Sequence, residues 1–327
     1  MCQESLGYGA RMTMWGYTLS SEEHAPTDLV RYAVGAEEVG FDFLSISDHF
    51  HPWIDEQGHS PFVWGVLGAV ANATKHVRVG TGVTCPILRT PPALVAHAAA
   101  TASLLFEGRF FLGVGAGEAL NEHVMGQYWP PVEIRHEMLA EALKVMRELW
   151  KGDVVDFHGT YFTVENARIY DAPDDPIPVV VSAFGPKAAE VAAKEGDGIW
   201  MTSPRDDVLK AFADAAGRGP RIGQVTVCWA PSREEGLATV KRVWPNTGLP
   251  GQLAQDLPTP SHFEQAAELV REEDLAAKVP CGPDPEPIIE KLRESAASGL
   301  DHVHVHQVGP DQDGFIRFWD REVRPKL

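Results

Sequence analysis

Short runs of β-branched, aromatic and aliphatic residues alternate along this chain with longer stretches whose apolar positions recur every three or four residues. The short runs predict strands at Thr13–Leu19, Asp42–Ser47, Val77–Thr84, Arg109–Gly115, Pro178–Ala183, Asp197–Ser203, Gln224–Ala230 and His302–Gln307. Stretches such as PTDLVRYAVGAEEVG and HEMLAEALKVMRELW predict amphipathic helices between them. A glycine follows the helical pattern just before a strand at Gly40, Gly108, Gly196 and Gly299. In that position a left-handed glycine stops the helix and turns the chain into the next strand.

Continuously apolar strands separated by helices suit a parallel sheet whose outside is covered. Eight such units are expected to close into a single-domain (β/α)8 TIM barrel spanning 1–327. An open doubly wound sheet is the alternative, but no strand here runs into a G-x-G-x-x-G that opens a helix. Two regions break the rhythm. Lys151–Pro176 reads as a β-hairpin inserted before the fifth barrel strand, and Trp244–Arg271 as a Pro/Gly-rich excursion that turns helical. Long excursions from a compact domain usually serve as lids or interfaces.

With 44% hydrophobic and 23% charged residues among 327, the chain has the make-up of a globular protein. Its net charge of −18 argues against nucleic acid as a partner, because that needs a basic surface to displace counterions. Cys2, Cys85, Cys228 and Cys281 are scattered with no C-x-x-C pair, which fits a reducing compartment better than a zinc or disulfide framework. The opening MCQESLGYGARMTMWGY lacks the basic start and apolar run of a signal peptide. No apolar stretch approaches the roughly 20 residues of a membrane span. A cytoplasmic protein with no membrane partner is expected.

In a barrel, chemistry gathers where strands end and their following loops begin. Those positions hold Asp48, His49 and Trp53 after the second strand, Gly82 and Val83 at the third, and Glu118 and Asn121 after the fourth. Ser182 and Gly185 follow at the fifth, then Thr202, Trp229 and His306 at the sixth, seventh and eighth. An imidazole, a carboxylate and an indole near one axis suit binding a flat ring and moving a proton. The small residues of GVGAGEALNE let backbone approach a ligand closely. SAFGPKAAE opens a helix with Gly-Pro, either as an ordinary helix start or as an anion cradle for a cofactor phosphate.

The motifs SDHFHPW, GTGVTCP and GAGEALNE, together with GYTLSSEEHAP, the Gly58–Phe62 segment, ELWKGDVVDFHGTYF, GDGIWMTS and GLDHVHVH, run in order over nearly the whole chain. In these the sequence resembles the luciferase-like flavin and deazaflavin barrels, specifically the branch of F420-dependent glucose-6-phosphate dehydrogenases. The resemblance implies coenzyme F420 as cofactor, a homodimer, and hydride transfer to or from the carbinol carbon of a small-molecule substrate. It implies that His49 acts as base on the hydroxyl proton, that Trp53 packs beside the reacting centre and that Glu118 handles the deazaflavin proton, with the primary proton acceptor left open between His49 and Glu118. Cofactor contacts are implied at Asp48, Cys85, Asn121, Phe184, Gly185 and Thr202, with a non-proline cis peptide at Gly82-Val83 forming a bulge behind the ring. Substrate contacts are implied at Glu22, Arg205 and Lys278. Sugar-phosphate members of the branch hold phosphate with lysine and arginine. Here Arg205 stands where lysine is expected and the segment after Lys278 is shortened, so glucose-6-phosphate and other alcohols both remain as substrates.

Three other readings compete. An FMN-dependent monooxygenase would keep the fold and change the cofactor. A metal-dependent hydrolase would use His49, His51 and the His302, His304, His306 series, although only the last members of HVHVH reach the barrel mouth. A non-catalytic F420 carrier leaves His49 and Glu118 without a purpose.

Overall fold

The structure is a computed structural model and describes residues 13–327; Cys2 and most of the segment read for a signal peptide lie outside the described residues. Among the described residues there are ten strands: β1 Met14–Leu19, β2 Phe43–Ile46, β3 Arg78–Thr81, β4 Phe110–Val114, β5 Val155–His158, β6 Thr163–Ala167, β7 Val179–Ser182, β8 Gly198–Met201, β9 Arg221–Val227 and β10 His302–Gln307. Eight of them close a parallel barrel in the order β1-β10-β9-β8-β7-β4-β3-β2, while β5 and β6 pair antiparallel outside it. The barrel strands are shorter than the apolar runs suggested: the β2–β3 ladder ends at Ile46 and Thr81, and Thr84 makes only an isolated bridge with Val114.

Two expectations are corrected. The seventh barrel strand occupies Arg221–Val227 rather than Gln224–Ala230. Its first residues carry the pairing to β8 through Arg221, Ile222 and Gly223. Trp229 therefore lies past the strand, where it stacks on Phe318 at 5.5 Å and is not part of the barrel mouth. Gly40, Gly108 and Gly299 are left-handed as expected, but Gly196 has φ −100°. Space rather than conformation accounts for glycine there, since a Cβ would come within 2.8 Å of both Ala192 O and Val181 Cγ2.

The core has two shells. Aliphatic residues on the outer faces of the strands, such as Leu44, Val79, Leu112, Val181, Ile199 and Val305, pack against the surrounding helices. Inside the barrel, Phe43, Phe111, Val180, Trp200 and Ile222 form a separate plug. The large rings fit because small residues face them: a Cβ on Gly80 would meet the Phe111 ring at 2.4 Å. His304 belongs to this plug, 4.4 Å from Trp200, with Nδ1 2.7 Å from the Thr18 hydroxyl. Burial pushes its pKa down to about 3, so it is a neutral structural imidazole.

Trp244–Arg271 forms a roof over the C-terminal end of the barrel. Thr259 accepts a hydrogen bond from His262 N, and Pro260 occupies the first turn of the helix Pro260–Ala267. That helix sends Phe263, fully buried, against the Trp53 ring at 5.1 Å. Among the described residues, no helix is long and apolar enough to cross a membrane.

Candidate active site

A cavity of about 1120 Å³ opens at the C-terminal end of the barrel. Of the residues expected to form the site, Asn121 and Trp229 are not on its wall, while His49, Trp53, Glu118, Asp48, Gly82, Val83, Cys85, Phe184, Gly185, Thr202, Glu22, Arg205 and Lys278 are. Ser182 and His306 also line it.

His49 leaves the end of β2 and is nearly buried. Its Nε2 lies 3.4 Å from Glu22 Oε1, and its ring packs on Trp53 at 4.9 Å. Asn121 sits behind it: Oδ1 accepts from Phe50 N at 2.8 Å and His51 N at 3.2 Å, which turns the amide NH2 toward His49 Nδ1 at 3.1 Å. The same Nδ1 is 3.1 Å from the carbonyl of His51. Nδ1 thus has a donor and an acceptor within reach, so it finds a partner whether it carries a proton or not. With the proton on Nδ1, Nε2 is free to accept another, and the resulting cation faces a carboxylate.

That carboxylate is well supported. Burial pushes Glu22 upward, but the His49 charge and the Ser47 hydroxyl, 2.5 Å from Oε2, outweigh it and hold the group below the ordinary carboxylate range. Ser47 is itself fixed by Ser21, whose N–H and hydroxyl lie 3.0 and 2.8 Å from the Ser47 Oγ.

Asp48 points to the other side. Its Oδ2 accepts from Thr84 Oγ1 at 2.8 Å and its Oδ1 from Arg89 Nη2 at 2.9 Å. Arg89 also holds Glu122, whose Oε2 accepts the Arg89 backbone N–H at 2.7 Å. Burial pushes the Glu122 carboxyl up to about 7 against these partners. Glu118 immediately precedes the short helix Ala119–Glu122 and stands on the cavity wall. The peptide Gly82-Val83 is cis, and a Cβ on Gly82 would meet Trp200 at 2.8 Å. Cys85 is a buried thiol, its pKa driven up by burial.

Farther along the wall, Gly185 precedes the ten-residue helix Pro186–Glu195, and nothing lies within 4 Å of where its Cβ would be. Phe184 is half-exposed beside it. Arg205 donates to Phe184 O at 2.7 Å and to Asp207 at 2.6 and 3.0 Å, and Lys278 Nζ donates to Thr247 O at 2.9 Å. Arg89, Glu122, Ser47 and Trp244 did not emerge from the strand-end pattern. Glu122 stood at the end of a motif already singled out, whereas nothing along the chain marks Arg89, whose two carboxylate partners are brought to it by the fold.

Residues 10–302 match the model of the luciferase-like monooxygenase family. The F420-dependent glucose-6-phosphate dehydrogenase of Mycolicibacterium gilvum is 37% identical, over 95% of this chain and 97% of that protein. The enzyme of the same description from Amycolatopsis mediterranei is also 37% identical, over 95% and 98%. Among solved structures, an F420-dependent secondary alcohol dehydrogenase in complex with an F420-acetone adduct superposes with a TM-score of 0.89 at 33% identity, covering 96% of this chain and 98% of that one. The chain belongs to the luciferase-like monooxygenase family, on the branch that holds the F420-dependent glucose-6-phosphate dehydrogenases.

Proposed function

We propose that this protein is an F420-dependent oxidoreductase that transfers hydride between the carbinol carbon of an alcohol or sugar and the deazaflavin. The observation that carries this reading is the nearly buried His49–Glu22 pair on the wall of a cavity walled by Trp53 and the cis Gly82-Val83 peptide. The residues present fit the coenzyme. The Gly82-Val83 bulge and Asp48 suit the flat face and edge of a tricyclic ring, and the open start of the helix at Gly185, with Lys187 on the same wall, suits a phosphate. Bound there, F420 supplies the hydride acceptor or donor.

The chain's own groups supply the rest. In the oxidising direction His49 Nε2 takes the hydroxyl proton, and Glu22 stabilises the imidazolium that results. Trp53, backed by Phe263, keeps water from the reacting centre. Glu118, beside a carboxyl that is half protonated near neutral pH, is placed to exchange a proton with the cofactor side.

Between the two substrate classes of the relatives we favour an uncharged secondary alcohol. Arg205 is committed to Asp207 and Phe184 O, Lys187 lies 3.8 Å from Glu133, and Lys291 lies 3.6 Å from Glu294. The cations of the wall thus already have partners, in a chain of net charge −18. A sugar phosphate is the second reading, favoured by the presence of Arg205, Lys278 and Lys291 on one wall. We further propose a single cytoplasmic barrel domain that works as a homodimer. Leu94 and Leu105, both exposed and three turns apart on the helix Pro92–Leu105, support such a contact.

Titration with oxidised F420, followed by tryptophan fluorescence and with FMN as control, tests the cofactor. Saturable quenching by F420, followed by turnover of secondary alcohols, is the expected result. Binding of FMN instead would overturn the cofactor, and turnover of glucose-6-phosphate alone would overturn the preferred substrate class.

A further inference from the structure

We propose that Glu23 and His306 form a second proton-holding pair in this site, joined to Glu22 and His49 through the Ser20 hydroxyl, and that it receives the proton His49 removes from the substrate. The proposal rests on the oxidoreductase reading above.

Glu22 and Glu23 are neighbours in the turn that follows β1, and each backs a different histidine. Glu23 Oε1 lies 3.5 Å from His306 Nε2, with side chains 4% and 1% exposed. Glu23 Oε2 accepts the Gly309 N–H at 2.9 Å, so the carboxylate is pinned from one side with Oε1 left for His306. The His306 ring packs edge-on to Trp244 at 4.4 Å, much as the His49 ring packs on Trp53. The site therefore holds two carboxylate–imidazole–indole sets, one on each of two consecutive glutamates, and both imidazoles stand on the cavity wall.

Ser20 joins them. Its Oγ is 3.3 Å from Glu22 Oε2 and 3.5 Å from Glu23 Oε1. One hydroxyl donates one proton, so it satisfies only one carboxylate at a time. Both carboxylates are within reach of that one hydroxyl, so Ser20 Oγ can accept from one while it donates to the other. The neighbouring titratable groups do not compete as cations. Burial keeps Tyr17, His24 and His304 neutral, and Cys228 on β9's continuation is a thiol whose hydrogen bond with Cys281 drives its pKa up.

The proton count is simple. As the substrate C–H pair leaves as hydride and the C=O forms, the O–H proton goes to His49 Nε2. It passes to Glu22 Oε1 across 3.4 Å; once the carboxyl rotates to present it, Ser20 Oγ accepts this proton as its own goes to Glu23 Oε1, which lies 3.5 Å from His306 Nε2. One proton moves and no electrons do. His49 is returned to its neutral, accepting form while the roof is still in place.

Glu23→Gln keeps the shape of the side chain and removes its proton capacity, while Ser20→Ala removes the bridge. With F420 and a secondary alcohol, both variants are expected to lower kcat by about 10- to 100-fold, with partial recovery on adding imidazole. KM and F420 quenching are expected to stay within roughly threefold of wild type. A second readout needs no turnover: in 15N-histidine-labelled protein at fixed pH, Glu23→Gln should move the ring resonances of both His306 and His49. In the Ser20→Ala background the effect on His49 should vanish. Unchanged kcat in both variants, a loss that imidazole does not recover, or a His49 ring indifferent to Glu23→Gln would overturn the relay. If the wild type turns over no alcohol with F420, the functional reading fails, and the ring resonances alone decide whether the two pairs are coupled.

Discussion

Arg89 Nη2 lies 2.9 Å from Asp48 Oδ1, with both side chains less than a tenth exposed. The same guanidinium reaches Glu122, so a single buried cation balances two buried carboxyl groups beside the cavity. Substituting Arg89→Leu leaves them without it. Loss of one partner of a buried pair typically costs about 3–5 kcal/mol. Chemical denaturation of the variant at pH 7 should show a loss of that order, and F420 quenching should weaken as Asp48 loses its anchor.

Glu122 gives the fold a pH dependence of definite sign. Its carboxyl is pushed up to about 7, above its ordinary value, so folding takes up a proton. The stability this contributes is full below the unfolded value near 4.5 and is lost as pH rises through about 7. The shift corresponds to about 3 kcal/mol at most. Denaturation midpoints at pH 5 and pH 8 should differ more in wild type than in Glu122→Gln, whose amide does not titrate.

Replacing His49→Ala should lower kcat by about 10²- to 10⁴-fold while F420 still binds. Glu22→Gln should do less, about 10- to 100-fold, because the base remains and only its counter-charge is gone. Steady-state turnover beside fluorescence titration separates the two effects. Equal loss of cofactor binding in both variants would mean that the pair is structural.

Gly113→Ala tests the packing of β4 against β3. The new Cβ would lie 2.0 Å from Thr81 O, a backbone atom, and Thr81 Oγ1 is itself bonded to Gly113 O at 2.7 Å. Overpacking of this kind costs about 1–3 kcal/mol. The melting temperature should fall by several degrees, with part of the loss appearing as weakened F420 binding because Val83 stands 3.1 Å from the same position.

The barrel was legible because its strands are continuously apolar, as in FLSI and VVVS, and because glycines mark where helices give way to them. β9 was misplaced where that signal fails: its true start lies among GRGPRIG, while the apolar residues after it, Trp229 and Ala230, belong to a loop. Strand-end position brought His49, Asp48 and Glu118 to one cavity wall, since a barrel dictates where such ends meet. It could not show that Asn121 stands behind the histidine instead of on the wall. Nor could it place Arg89, a residue in a loop after β3 whose meaning comes entirely from two carboxylates brought to it by other strands.

Phe263 rests on Trp53, and Trp53 rests on His49, so the roof and the reacting centre share one wall. Any swing of the helix Pro260–Ala267 wide enough to let a substrate in or a product out lifts Phe263 away and unsettles the indole beneath it. In the function proposed above, displacement of that helix would take away the ring the proposed base packs against, so ligand passage and proton removal would exclude one another.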